Sequence, residues 1–342
     1  MRAIVLAAPG RLEMRQVPRP NPPQGHVRIC TAAVGICATD LAMIDGNPRV
    51  KCPAILGHEW SGFVDAVGRG VDEALVGRAC VAENILEDGG EVGFEHYGGY
   101  GEFFSTRAEN LQFLPEGFDM ATAAMVEPLA VCVRAVRRLG PIDSRAGTII
   151  FGDGPIGLLM LVLLRRAGLS LVTLVGGRRG RLALARELGA STVVNYHELE
   201  FPEPEAIARK ESRGRSRYLW RYNYLVEASG SPAATKLALE MTTTKLALDI
   251  TDWSRCKILL MGDYGEARAD FPWNLLLHRE LQIIGSNASA GAWPEAVRLA
   301  TDQGFPLARL LSARLPAERF AEGVDLVRSR TSDVVKVVLE WT

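Results

Sequence analysis

No window of this chain approaches the roughly 20 consecutive apolar residues that span a bilayer, and its apolar start, Met1 to Leu6, is too brief for a signal peptide. A soluble, cytoplasmic protein with no membrane partner is the expectation. An excess of one charge is also missing. Thirty-nine Lys+Arg stand against 40 Asp+Glu, a net charge of −1, so no global field draws in nucleic acid or an anionic surface. A small molecule is the expected substrate. The six cysteines (Cys30, Cys37, Cys52, Cys80, Cys132, Cys256) include no CxxC pair and no short-spaced framework, which argues against disulfides. All but Cys37 are read as buried small hydrophobes. No solenoid period is present. The one local echo, Thr235 to Glu240 against Thr244 to Asp249, reads as a lengthened surface helix.

What the chain does have is length and apolar content. With 342 residues, 48% of them hydrophobic, it can bury a large core and divides most naturally into two domains. Residues 1–140 are rich in glycine and proline with short β-branched runs such as Val27-Arg28-Ile29-Cys30, the pattern of an irregular, mostly antiparallel β domain. Residues 141–286 alternate apolar strands (Thr148–Gly152, Leu171–Gly176, Thr192–Tyr196, Tyr224–Ala228, Ile258–Gly262) with helices (Ile156–Ala167, Arg181–Leu188). That alternation predicts a doubly wound parallel sheet covered on both faces, so the fold class is α/β. Residues 287–342, with a helix over Pro294–Ala300 and a closing strand over Val334–Trp341, return to the first domain.

The parallel domain opens on Gly152-Asp153-Gly154-Pro155-Ile156-Gly157, a GxGxxG between an apolar strand and an apolar helix. In that setting the first glycine makes the turn, the second lets a pyrophosphate approach the backbone, and the third allows helix and strand to pack closely. A dinucleotide is implied, against the plainer reading of a glycine-rich turn without a ligand. Sites that prefer NAD carry an acidic residue about 20 residues further on, at the ribose 2′-hydroxyl. Here that place reads Gly176-Gly177-Arg178-Arg179-Gly180-Arg181, with glycine for the acid and three arginines following. Guanidinium forks bind a 2′-phosphate in charge-assisted fashion, which points to NADP(H) over NAD(H). The alternative is a solvated basic turn.

The other chemistry-bearing stretches are Gly35-Ile36-Cys37-Ala38-Thr39-Asp40, Gly57-His58-Glu59-Trp60 and Glu127-Pro128-Leu129-Ala130. A cysteine, a histidine and one or two carboxylates spread over about ninety residues form the ligand set of a catalytic zinc, with one position left for water or substrate. Singly, Cys37 and His58 read as a buried thiol and a satisfied core histidine.

Together these stretches resemble the zinc-dependent medium-chain dehydrogenase/reductases of the alcohol dehydrogenase superfamily, over nearly the full length, and in particular the polyol branch of sorbitol, threonine and inosamine dehydrogenases. The resemblance implies a GroES-like catalytic domain and a Rossmann dinucleotide-binding domain. It implies that Cys37, His58 and Glu127 ligate zinc. Glu59 stands beside them as an exchanging or water-mediated ligand, since neighbours in an extended chain point to opposite sides. Thr39 matches the proton-relay hydroxyl, Asp40 the carboxylate that holds the zinc histidine in its ligating tautomer, and Lys336 a basic residue on the cofactor pyrophosphate.

Two stretches depart from the family. Between Gly77 and Gly98, where many relatives carry four cysteines around a structural zinc, only Cys80 is present, so a single catalytic zinc per chain is expected. The acidic loop there (Glu83, Glu87, Asp88, Glu91, Glu95, then His96 and Tyr97) is open to two readings, the rim of a substrate cleft or an oligomer contact. The insertion-like Lys245–Arg255 has no functional reading. The function implied is an NADP-preferring alcohol dehydrogenase acting on a polyol, sugar or aminocyclitol, working as a homodimer or homotetramer. A metal-free reductase of activated double bonds in the same superfamily and a non-enzymatic dinucleotide-binding protein are the rival readings.

Overall fold

The computed structural model describes residues 1–198, 222–240, 256–266, 273–278, 280–329, 331 and 333–341. The Lys245–Arg255 stretch and the second half of the sequence echo lie outside the described residues. The chain forms two compact units, Met1–Ala130 with Ser289–Thr342, and Val131–Ala288. The division falls after Ala130 and Ala288, against the expected 140 and 286, and its first cut lies within one uninterrupted helix, Val126–Leu139.

The first unit is built on a long strand, β3 (His26–Ile36), whose apolar residues are shared between neighbours on both edges. It pairs antiparallel with β4 (Glu59–Val67), with β6 (Phe103–Arg107) and with β15 (Lys336–Glu340). The sheet continues through β5 (Ala79–Ala82) and β7 (Leu111–Phe113) on one side and β14 (Leu311–Pro316) on the other. A hairpin of β1 (Arg2–Ala8) and β2 (Arg11–Gln16) stands apart from it. Ile4, Leu6, Val27, Ile29, Trp60 and Phe104, all nearly inaccessible, belong to the core beneath.

Register in this sheet brings the chemistry together. Gly35 at the end of β3 lies opposite Glu59 at the start of β4, while Ile36 lies opposite Val337 of β15. Three strand ends therefore converge, and Cys37 and His58, just beyond β3 and β4, meet Lys336, the first residue of β15, at one edge. The chain leaves β3 into helix α1 (Ala38–Ile44), followed by α2 (Met120–Ala123) and α3 (Val126–Leu139).

The second unit is a six-stranded parallel sheet of β8 (Gly147–Phe151), β9 (Leu171–Gly176), β10 (Thr192–Asn195), β11 (Tyr222–Glu227), β12 (Lys257–Leu260) and β13 (Gln282–Gly285), in the order β10-β9-β8-β11-β12-β13. Strands β8 and β9 are buried throughout, as continuous apolar runs in a doubly covered sheet require. Helices α4 (Pro155–Arg166) and α5 (Arg179–Glu187) follow β8 and β9, with α6 (Pro232–Glu240) and α7 (Trp273–His278) later in the chain. The strand order reverses between β8 and β11, the switch point at which such sheets bind dinucleotides. The unit 1 segment after residue 288 holds α8 (Trp293–Ala300) and also α9 (Phe320–Ser329), a helix the sequence reading did not include.

The cysteine expectation holds for Cys80, Cys132 and Cys256, which are buried, and fails for Cys30, which is partly accessible, and Cys52, which is exposed. All six are free. Burial pushes the Cys80 thiol up to about 12.

Candidate functional site

The donor atoms of Cys37, His58 and Glu59 all lie within 4.8 Å of one another, and no other such group of three or more occurs among the described residues. His58 and Glu59 reach the same point although they are sequence neighbours. The alternation argument fails because His58 precedes β4 and follows Gly57, whose φ is +96°, so only Glu59 obeys the pleat. Glu59 in turn has room because its cross-strand partner is glycine: a Cβ on Gly35 would overlap the Glu59 carboxylate. Glu127, expected as the third ligand, lies outside this group. It sits in the first turn of α3, where burial, reinforced by Glu59 and opposed by His58 and Lys336, raises its pKa to about 7.

The surroundings of the group are those of a metal-ready site. Asp40 is fully buried, and its Oδ2 accepts the Cys37 backbone N–H at 2.8 Å, closing the N-terminus of α1. Its Oδ1 lies 3.3 Å from His58 Nδ1. Both atoms are buried without an aligned hydrogen bond. A carboxylate behind one ring nitrogen is the arrangement that leaves the other, Nε2, for a metal. Burial works against the imidazolium, yet the Asp40 charge and then Cys37 hold the His58 pKa well above the ordinary histidine value. In a site collecting a thiol, an imidazole and a carboxylate, these are the donors zinc prefers. Thr39 lies beside them, its Oγ1 accepting from Cys37 Sγ at 3.6 Å.

Lys336, expected on a pyrophosphate, meets Glu59. It is buried, and its Nζ donates to both Glu59 oxygens at 2.7 and 2.5 Å and to the Ile36 carbonyl at 3.5 Å. The register of β15 against β3 puts it there, and a buried ammonium requires such a partner. Its pKa is raised: Glu59 and Cys37 more than offset the effect of burial.

The acidic loop has a local role that its composition did not indicate. Its Phe94 stacks on His58, ring centroids 4.7 Å apart. Arg49 lies over Phe94 at 4.0 Å and pairs with Glu91 at 2.9 Å and Glu95 at 2.8 Å. Asp88 pairs with His96. Two of the loop's acids thus fix the cation that backs the wall of the site.

In the second unit the glycines behave as their positions require. Gly154 caps α4, Pro155 occupies its first turn with Ile156 next to it, and a Cβ on Gly157 would collide with the Gly152 carbonyl. The acid missing from position 176 is present in space, which corrects the sequence reading. The Asp153 side chain lies over Gly176 so closely that a Cβ there would overlap it. Asp153 Oδ2 accepts the backbone N–H groups of Gly177 at 2.9 Å and Arg178 at 2.8 Å, and Oδ1 accepts from Arg178 Nη1 at 2.6 Å. Arg178 is therefore held by a carboxylate, whereas Arg179 is largely exposed, 3.8 Å from Glu198. A charged residue inside the glycine motif was the available signal for this pair.

Comparison with known proteins agrees with this geometry. Residues 23–116 match the alcohol dehydrogenase GroES-like domain, and residues 155–302 match the zinc-binding dehydrogenase domain. The chain belongs to the zinc-binding, medium-chain dehydrogenase family. Within it, the chain is 28% identical over 330 residues to galactitol 1-phosphate 5-dehydrogenase of Escherichia coli (strain K12), covering 90% of each chain. It is 23% identical over 349 residues to sorbitol dehydrogenase of Halalkalibacterium halodurans, covering 96% of each. The crystal structure of galactitol-1-phosphate dehydrogenase from Escherichia coli superposes with a TM-score of 0.82 at 26% identity, over 99% of this chain and 100% of that one. The family is one of oxidoreductases, and among the described residues no helix is long and apolar enough to cross a membrane.

Proposed function

We propose that this dehydrogenase uses one zinc ion and transfers a hydride between NADP(H) and a secondary alcohol or ketone carbon of a polyol, sugar or aminocyclitol. The observation that carries the reading is the convergence of Cys37, His58 and Glu59 on one point, backed by the Asp40 carboxylate. The names of the relatives, galactitol 1-phosphate and sorbitol dehydrogenases, support the polyol class.

When bound, zinc would supply a Lewis acid that polarises the alcohol oxygen and lowers its pKa. Cys37, His58 and Glu59 would hold it. Lys336 offsets the Glu59 charge, so that a thiolate and a carboxylate together do not leave the donor set doubly anionic. Thr39, partly accessible beside Cys37, takes the alcohol proton and passes it outward. Glu127, a buried carboxyl under the influence of His58, Glu59 and Lys336, is proposed to accept a hydrogen bond from a substrate hydroxyl. The nicotinamide supplies the hydride acceptor. Gly152, Gly154, Pro155, Ile156 and Gly157 would hold its dinucleotide, with Gly176, Arg178 and Arg179 toward the 2′-position, where arginine favours a phosphate.

A metal-free reductase has no use for a thiol, an imidazole and a carboxylate gathered at one point. The enzyme is proposed to work in the cytoplasm as a homodimer or homotetramer, without nucleic-acid or membrane partners. A panel of polyols, sugar alcohols, aminocyclitols and simple alcohols, each assayed with NADP+ and NAD+, tests the reading. Turnover of vicinal polyols, faster with NADP+, is expected. Turnover of simple aliphatic alcohols alone, or of enones without metal, would refute it.

A further inference from the structure

We infer that Asp153 is a specificity-determining residue of the dinucleotide site: it restrains the arginine turn, weakening its hold on a 2′-phosphate and so keeping NAD(H) usable beside NADP(H). The inference rests on reading this unit as NADP(H)-binding.

Three observations support it. The Asp153 side chain fills the space over Gly176, where sites that prefer NAD carry their acid, and it is only 3% exposed. Its oxygens are already engaged: Oδ2 takes two backbone N–H groups, Oδ1 takes Arg178 Nη1, and Arg181 Nη1 stands 3.8 Å away. A carboxylate offers about four acceptor positions, so one with three of them taken and only 3% exposed is ill placed to bind ribose hydroxyls as a strand-end acid does. Its effect on the cofactor is then one of charge. It sets one buried negative charge against the arginines at 178 and 181, and Glu198 sets an accessible one near Arg179.

A contrary role is conceivable on chemical grounds, in which Asp153 helps by fixing Arg178 in place. Magnitudes decide between them. Charges on opposite sides of one guanidinium are roughly 7 Å apart, where repulsion at an effective dielectric near 20 corresponds to some tens-fold in affinity per unit charge. A 2′-phosphate carries nearly two charges. Freezing one arginine side chain is worth about thirtyfold at most. Repulsion wins, and more clearly in Asp153→Asn, whose amide oxygen still accepts a backbone N–H.

The test needs no turnover and no zinc. Adenosine 2′,5′-bisphosphate and 5′-AMP, which differ only in the 2′-phosphate, are titrated calorimetrically into the wild-type protein, Asp153→Asn, Asp153→Ser and Arg178→Ala, with circular dichroism confirming that each variant is folded. Asp153→Asn should bind the bisphosphate at least about tenfold tighter while 5′-AMP changes less than about twofold, and Asp153→Ser should shift the same way. An unchanged or weaker bisphosphate affinity in both Asp153 variants, or an equal change for both nucleotides, would overturn the inference and leave the NADP(H) reading standing provided Arg178→Ala loses bisphosphate affinity. If Arg178→Ala leaves that affinity intact, the NADP(H) reading falls and the inference falls with it.

Discussion

Gly35 shows how narrowly the metal site is specified. Any side chain there would displace the Glu59 carboxylate, which the Gly35–Glu59 register holds against Lys336. Gly35→Ala should therefore cut zinc content and turnover at least about tenfold while costing ~1–3 kcal/mol of stability, measured by elemental analysis and denaturant unfolding. Glu127 carries a different signature. Its folded-state pKa of about 7 lies above the ordinary glutamate value of 4.5, so the metal-free folded protein binds the extra proton. That contribution is fully present below about pH 4.5 and is lost as pH rises through about 7. Glu127→Gln should remove this dependence and make the metal-free protein more stable than wild type at pH 8 by ~1–3 kcal/mol, read from unfolding midpoints across pH. Cys37, His58, Asp40 and Thr39 were legible in the sequence because their spacing is tied to one motif each. The approach of Glu59 to Cys37 and His58 was not, because it turns on one residue lying just outside a strand. The pairing of Lys336 with Glu59 was hidden for a related reason: only the register of β15 against β3 brings its ammonium to that carboxylate.

Helix α1 and the start of α4 carry function through their ends. Asp40 both accepts the Cys37 N–H and backs His58, so Asp40→Ala should lose about 1 kcal/mol of capping energy and about 10–100-fold in zinc affinity. Asp40→Asn, which still offers an acceptor oxygen, should recover most of the stability and little of the affinity, as competition with a chromophoric chelator would show. The alternating strands and helices from β8 to α5 were legible because buried parallel strands read as apolar runs and glycines mark their ends. Helix α3 was not, since the glycine and proline density of residues 1–117 was extended to 140. Residues 118–139 contain no glycine at all, and that change of composition marks where the helical region begins. Strand β13 has exposed ends and only a partly buried middle, so it lacks the apolar run by which the equally short β10 and β12 stand out.

Two units with separate cores imply that metal is needed for chemistry more than for folding. The first unit buries Ile4, Leu6, Ile29, Trp60 and Phe104 in one apolar cluster, and a core of that size holds without a metal at its edge. Treatment with a strong chelator should abolish turnover and leave the far-ultraviolet circular dichroism unchanged at room temperature; loss of secondary structure would show the ion to be structural. The α/β class and the doubly wound sheet were legible from element alternation, and the order β10-β9-β8-β11-β12-β13 agrees with them. The charge balance at the dinucleotide turn was not, because Asp153 and Gly176 are brought together only by the fold. The account depends above all on which carboxylate completes the metal site, and zinc content measured in parallel on Glu59→Ala and Glu127→Ala addresses that directly. Glu59→Ala should purify with little zinc and Glu127→Ala with about one per chain; full zinc in Glu59→Ala, with zinc lost from Glu127→Ala, would contradict it.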